Sequence, residues 1–436
     1  MKSRFSFLLL VCLTLVLTKV ALAKESPEVL AQLSISENPA EASAAIAKLR
    51  ALGPAGLQSL LESYTPEINR HVADPALPNT AAWTRITTAL DAVSQQKNSY
   101  LSGLYWYTDL QEAEKAARQS GKPILSLRLL GKLSEDRSCA NSRFFRTILY
   151  SNAAIADLFR THFVLHWQTV RPVPLITIDF GDGRRLERTI TGNSIHYILD
   201  SDGNLIDGLP GVYGPQAFAR ALQEAEGVFQ KLQGKNKGAR RMLLANYYAQ
   251  RLNTISLAWL ADTNKIGGRA PAGFRVVKGQ NGEAVSIMPL AVTKMVAEET
   301  VLRAMTEHTE ALGKITDEGA WTKLALLHSA EAQLDEQSIS LVKRQLRNLP
   351  DSDKSMNALL QKFQLTVALD TVRNEYKLHS QLYAWLATDR GRSTVDTMNE
   401  KVYAELFLTP KSDPWLGLLP MDTYTGLENA GVVNRQ

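Results

Sequence analysis

Between Tyr105 and about Leu222 the hydrophobic period shifts from three or four residues to short continuous apolar runs, and this shift constrains the fold more than any other feature of the chain. Asp109 can cap a helix, Leu110 to Ser120 supplies it, and Gly121 followed by Lys122-Pro123 ends it. Ile124 to Leu130 is apolar enough for a strand buried on both faces. Beyond a polar loop, Cys139 to Tyr150 and Asn152 to Thr161 read as helical. His162-Phe163-Val164-Leu165-His166-Trp167 reads as a strand with His162 and His166 on one face. Strand, helix, strand of this size predicts a parallel βαβ unit with a right-handed crossover. Two hairpins follow. Leu175 to Phe180 and Leu186 to Thr191 flank Gly181-Asp182-Gly183, and Ile195 to Leu199 and Asn204 to Ile206 flank Asp200-Ser201-Asp202-Gly203. Pro215 opens a closing amphipathic helix through Phe229, which makes the segment an α/β sandwich.

The flanks keep a helical period. Residues 24–100 read as helices, with Asn38-Pro39-Ala40-Glu41 as a start and Gly53-Pro54 as a link. From residue 234 onward the pattern is mostly helical, through Met242 to Leu260, Leu290 to Leu312, Trp321 to Leu334, Ser338 to Leu346 and Met356 to Ala387. The Gly-rich stretch Gly267 to Glu283 should be a loop or small hairpin, and the Pro-rich but apolar tail should pack on the body. The expected division is 24–100 helical, 101–233 α/β with a hairpin insertion at 171–191, and 234–436 mostly α-helical.

Met1 to Ala23 has the marks of a cleaved secretory signal: Lys2 and Arg4, an apolar run from Phe5 to Leu17, and Ala21-Leu22-Ala23. Lys19 interrupts the run before it is long enough to span a bilayer. Cleavage predicts a periplasmic or secreted protein with no membrane attachment. It removes three cations and no acid, so the net charge falls from +5 to +2, which leaves no electrostatic footprint for nucleic acid. Of the two cysteines, Cys12 goes with the signal, and Cys139 remains as a lone thiol in a compartment where disulfides persist.

Asp109 to Ser120, Gly121-Lys122-Pro123-Ile124-Leu125, Cys139-Ala140-Asn141-Ser142, the helix through Ile155 to Phe159, Phe163-Val164-Leu165 and Asp200-Ser201-Asp202-Gly203 together resemble the thioredoxin-like superfamily, especially its exported bacterial members. The resemblance covers about residues 105–229. It implies a thioredoxin-like sandwich in which a Cys-x-x-Cys pair stands where a loop enters a helix. There the helix N-terminus stabilises a thiolate, the first Cys attacks a disulfide and the second resolves the adduct. Here the second position is Ser142, the family's cis-proline position is Ser194, and the aromatic before the first Cys is Ser138. A hydroxyl cannot resolve a mixed disulfide.

Two readings of Cys139 follow. Arg137, Arg143 and Arg146 stand close in sequence, and cations at a helix N-terminus favour the thiolate of a monothiol that forms mixed disulfides with protein or small-molecule thiols. The alternative is a buried, unreactive cysteine at the centre of a binding or adaptor face that includes Ser142, Ser194 and His196. A Cys139–His196 dyad is conceivable because His196 begins the strand expected beside the active loop. Arg184 and Arg185 on the hairpin insertion offer a dock for an acidic peptide or carboxylate, unless they pair with Asp179, Asp182 and Glu187.

No metal or cofactor is expected. Asp200, Asp202 and Asn204 match three calcium-loop positions, but Leu205 and Gly211 occupy the Gly and Glu positions, which favours a hairpin turn. Glu375 and His379, with Asp370 preceding, are the one helical pair that keeps open an activity in the C-terminal helices. Walker, dinucleotide-binding, haem-attachment and Gly-x-Ser-x-Gly motifs are absent.

Overall fold

Helices in the N-terminal region start where the sequence places side chains that satisfy first-turn N–H groups. The computed structural model describes residues 25–269, 309–346, 352–389, 393–416, 418–419 and 426–432. In it, Ser26 caps α1 (Pro27–Leu33) and Asn38 caps α2 (Pro39–Ala51). Next come α3 (Pro54–Ser63) and α4 (Thr65–Ala73), then α5 (Ala81–Ser94), capped by Thr80, and α6 (Ser99–Ser102). A Cβ on Gly56 would stand 2.0 Å from the Leu49 carbonyl oxygen, so glycine is what lets α3 approach α2. Leu30, Leu49, Leu57, Leu60, Trp83, Ile86 and Leu90 form a separate core here. The expected signal segment, most of the Gly-rich loop and most of the Leu290 to Leu312 helix lie outside the described residues.

The central segment builds a five-stranded mixed sheet from β1 (Trp106–Tyr107), β2 (Ile124–Leu130), β3 (Val164–Arg171), β6 (Ser194–Leu199) and β7 (Leu205–Pro210), in the order β1-β3-β2-β6-β7. β1, β3 and β2 run parallel, while β6 is antiparallel to both β2 and β7. The expected βαβ unit is present: Asp109 accepts from the Glu112 N–H to open α7 (Leu110–Ser120), and Gly121 closes it at φ 71°. Between β2 and β3 come α8 (Ala140–Phe144), a π turn (Phe145–Leu149) and α9 (Ala153–His162). The insertion is a separate two-stranded ribbon, β4 (Leu175–Asp179) against β5 (Arg185–Thr189). α10 (Pro215–Leu232) closes the segment.

Two details depart from the sequence reading. His162 is the last residue of α9 and not the first of a strand: its Nδ1 meets Glu226 Oε1 of α10 at 2.7 Å, and β3 starts at Val164. It therefore shares no strand face with His166. β1, only two residues long, has no periodicity to announce it and forms because Trp106 and Tyr107 register against Leu165 and His166.

Strand alternation divides the sheet. Leu125, Leu127, Leu129, Leu165, Trp167, His196 and Ile198 face α8, α9 and α10, and most of them join a core with Phe145, Phe159 and Phe218. Ile124, Ser126, Arg128, Val164, His166, Ile195 and Tyr197 face the other way. That second face is covered by α7 and by the C-terminal helices: α11 (Lys237–Lys265), α12 (Glu318–Leu327), α13 (Glu336–Leu346), α14 (Ser352–Arg373), α15 (Ser380–Asp389) and α16 (Val395–Lys401). Tyr248, Leu252, Val372, Leu382 and Val402 share one core with Ile124, Val164 and Tyr197. No helix among the described residues is long and apolar enough to cross a membrane.

Candidate functional site around the lone thiol

Cys139 is the N-cap of α8. Its Sγ accepts from the Ser142 N–H at 3.4 Å, while the Ser142 hydroxyl donates to the Cys139 carbonyl at 3.1 Å. Both side chains are 0% exposed. Cys139 thus stands where a loop enters a helix, and the helix N–H that reaches it is spent on a sealed sulfur.

The seal comes from the strand end that leads out of the ribbon. Ala140 N–H donates to the Thr191 carbonyl at 3.1 Å, and Thr189 Oγ1 donates to the Ser138 carbonyl at 2.8 Å. Gly192 lies so close that a Cβ would stand 2.5 Å from Asn141 Oδ1. Thr191 is held at φ 73°, in the left-handed region that β-branched residues avoid, and its buried Oγ1 has no hydrogen-bond partner among the described residues. Ser194 is also buried and accepts from Asn141 Nδ2 at 2.9 Å, which ties β6 to the same loop.

The three arginines near Cys139 each have a partner other than the sulfur, although Arg146 keeps its buried Nε and Nη1 without a hydrogen-bond partner among the described residues. Arg143 donates to the Ser138 carbonyl at 2.7 Å and to Thr189 Oγ1. Arg146 donates to the Asp136 carbonyl at 2.8 Å, and burial pulls its pKa down to about 10 against the pull of Asp136. Arg137 pairs with Glu187 on the ribbon. Among the described residues the one hydrogen bond to Sγ is that from Ser142, so none of these cations donates to the sulfur.

His196 faces the same side of the sheet, but its Nε2 is paired with the Tyr150 hydroxyl at 2.7 Å and its Nδ1 has no hydrogen-bond partner among the described residues. No hydrogen bond joins it to Cys139. Burial among Phe145, Tyr150 and Phe218 pushes its pKa down to about 3, so the ring is a neutral core group at physiological pH.

Other sequence candidates resolve into local pairs. Asp200 accepts from Asp202 N–H at 3.0 Å and Asn204 N–H at 2.8 Å and pairs with Arg240, as a hairpin turn does. Glu375 meets Arg220 at 3.5 Å, whereas His379 stacks on Tyr383 and lies 3.6 Å from Asp207, so the two serve different contacts. No group of three or more His, Cys, Asp or Glu among the described residues is arranged to hold a metal ion.

Arg184 and Arg185 project on opposite faces of the ribbon. The β4–β5 register puts Ile176 beside Arg188 and Ile178 beside Leu186, and Phe180 carries the Arg184 guanidinium 5.3 Å from its ring centre. Arg184 also pairs with Asp182 at 2.7 Å. The other face holds Thr177 with Glu187 and Asp179 with Arg185, the last pair 3.0 Å apart. Ile176, Ile178 and Phe180 remain 41%, 43% and 55% exposed.

Sequence reasoning missed the polar groups of the second sheet face. Ser126 Oγ and His166 Nδ1 are 2.8 Å apart, and Arg128 from the middle of β2 reaches Asp396 of α16 at 3.1 Å. Burial, then the Arg128 charge, pushes the His166 pKa down to about 3. The signal was present as two polar residues, two positions apart, inside an otherwise apolar strand. No family model matches this chain, and no curated protein or solved structure is detectably similar to it.

Proposed function

We propose that the protein is an exported, thioredoxin-like binding module without dithiol oxidoreductase activity, and that it docks a protein partner through the β4–β5 ribbon. The strand order and directions, the helices between β2 and β3, and a cysteine capping the helix after β2 all support a thioredoxin-like reading of the centre. The observation that carries the binding reading is the burial of Cys139, whose neighbours Ser138 and Ala140 are tied to Thr189 and Thr191, at the base of a ribbon whose apolar face is open. A two-stranded ribbon buries little by itself, and a row of exposed Ile176, Ile178 and Phe180 beside Arg184 and Arg188 suits an amphipathic, acidic segment laid along it.

A second reading keeps Cys139 as a monothiol that forms mixed disulfides. The Ser142 N–H directed at Sγ favours it, since a helix N-terminus stabilises thiolate. One experiment separates the two: a photo-crosslinking residue placed at Leu186, on the ribbon's apolar face beside Ile178, in the full chain, in the cells that export it. Binding through the ribbon requires a discrete crosslinked partner that survives Cys139→Ser and disappears with Ile176→Ser combined with Phe180→Ser. Loss of the partner in Cys139→Ser, or no discrete partner at all, overturns the proposal.

A further inference from the structure

Arg128 is the one charged side chain in the middle of the central strand β2, and it is 1% exposed. Its Nη2 donates to Asp396 Oδ1 at 3.1 Å, while Nε and Nη1 have no hydrogen-bond partner among the described residues. A guanidinium presents its donors as a planar fork that a carboxylate fills with two parallel bonds. Asp396 fills only one corner, and its own side chain is 75% exposed. The pair is therefore a buried cation held at one point by an acid that solvent can recapture, which leaves most of the donors unsatisfied.

This pair forms part of the wall of a cavity of about 520 Å³ at the end of the sheet's polar face. Arg171 and Lys411 stand on the same wall, with Gln168 as a neutral polar group and Glu400 as the other acid. Arg171 donates through its Nη groups to the carbonyls of Thr409 at 2.9 Å and Asp413 at 3.0 Å and so fixes the segment that carries Lys411, which leaves only its buried Nε without a partner among the described residues. Lys411 is exposed and makes no ion pair among the described residues. Beside the pinned Arg171, the cavity offers two further cationic points, one buried and forked, the other exposed and single.

We propose that this cavity binds a small dicarboxylate, one carboxylate displacing Asp396 from the Arg128 fork and the other reaching Lys411. Asp396 already occupies the fork as the chain's own carboxylate, so ligand and Asp396 compete for the same donors. The Arg128 fork is on the opposite sheet face from the thiol, and the cavity wall uses none of the side chains of β4 or β5, so its failure leaves the proposed docking role untouched.

Calorimetric titration of the full chain with succinate, glutarate and adipate tests the site, with succinamide as the uncharged control. At least one dicarboxylate is expected to bind saturably and succinamide not to bind. Asp396→Asn removes the competitor and should tighten binding about tenfold, whereas Lys411→Ala should weaken it by a similar factor, with circular dichroism confirming the fold. Both substitutions fall on exposed side chains, which avoids the risk that replacing Arg128 disrupts the sheet. No saturable binding by any of the three acids, equal binding of succinamide, or an affinity unchanged or lowered by Asp396→Asn overturns the proposal.

Discussion

On the sheet face covered by α8, α9 and α10, Leu125, Leu127, Leu129, Leu165 and Trp167 meet Phe145, Phe159 and Phe218. The same strands turn Ser126, Arg128, His166 and Tyr197 toward α7 and the C-terminal helices. The lone thiol belongs to the first face, where it packs and caps. The unpaired Nε and Nη1 of Arg128 belong to the second, beside a cavity, while Arg146 near the thiol also keeps its Nε and Nη1 without a hydrogen-bond partner among the described residues. The cysteine that marks the active centre in a thioredoxin-like reading of the sequence is buried as a helix cap, and the ligand site proposed above lies on the other sheet face.

The largest expected effect tests the dry face. Leu127→Ala should cost about 3–4 kcal/mol in urea unfolding, with little dependence on pH, because it leaves a cavity among packed side chains and touches no charge. A loss under about 1 kcal/mol would mean that this face repacks and is not the rigid layer described.

Acid sharpens the contrast by a different route. His166 and His196 have folded pKa values pushed down to about 3, against an unfolded value near 6.5, so their contribution is complete above pH 6.5 and is lost as pH falls toward 3. Between pH 7 and 4.5 each should account for about 2–3 kcal/mol of lost stability. His166→Gln should flatten the slope by its share, and adding His196→Gln should flatten it further. His328 has the opposite sign. Its hydrogen bond to Glu331, opposed by burial and aided by Asp262, raises its pKa to about 9, so its contribution is lost as pH rises from 6.5 through 9. An unaltered acid slope in the double variant would show that those rings are not held neutral.

A smaller effect probes the seal over the thiol. Thr191→Asn replaces a β-branched residue at φ 73° with one that tolerates the left-handed region, and should raise stability by about 1 kcal/mol in the same unfolding assay. A decrease would show that the threonine side chain contributes a contact outweighing its backbone strain.

Much of the architecture was legible because its signals are local. Asp109 with Gly121 bounded α7, Pro215 opened α10, and both hairpins followed their Gly-Asp turns. The misses have tertiary causes. β1 is two residues whose pairing is set entirely by β3, and His162 stays helical because Glu226 of α10 receives its ring. The site was half legible: Cys139 was placed at its helix cap, but the loop around it is tied at Ser138 and Ala140 to Thr189 and Thr191, about 50 positions away in sequence and brought there by the ribbon. Arg137, Arg143 and Arg146 are near the thiol in sequence, yet each side chain finds a carbonyl, hydroxyl or carboxylate on this loop or the ribbon.

The most direct test of the central claim is the rate at which a maleimide modifies Cys139 in the folded full chain at neutral pH, compared with the rate through a urea series. The expected result is no modification of the native protein, with a rate that rises only along the global unfolding transition. Stoichiometric modification of the folded protein within minutes would contradict it and return Cys139 to the role of a reactive monothiol.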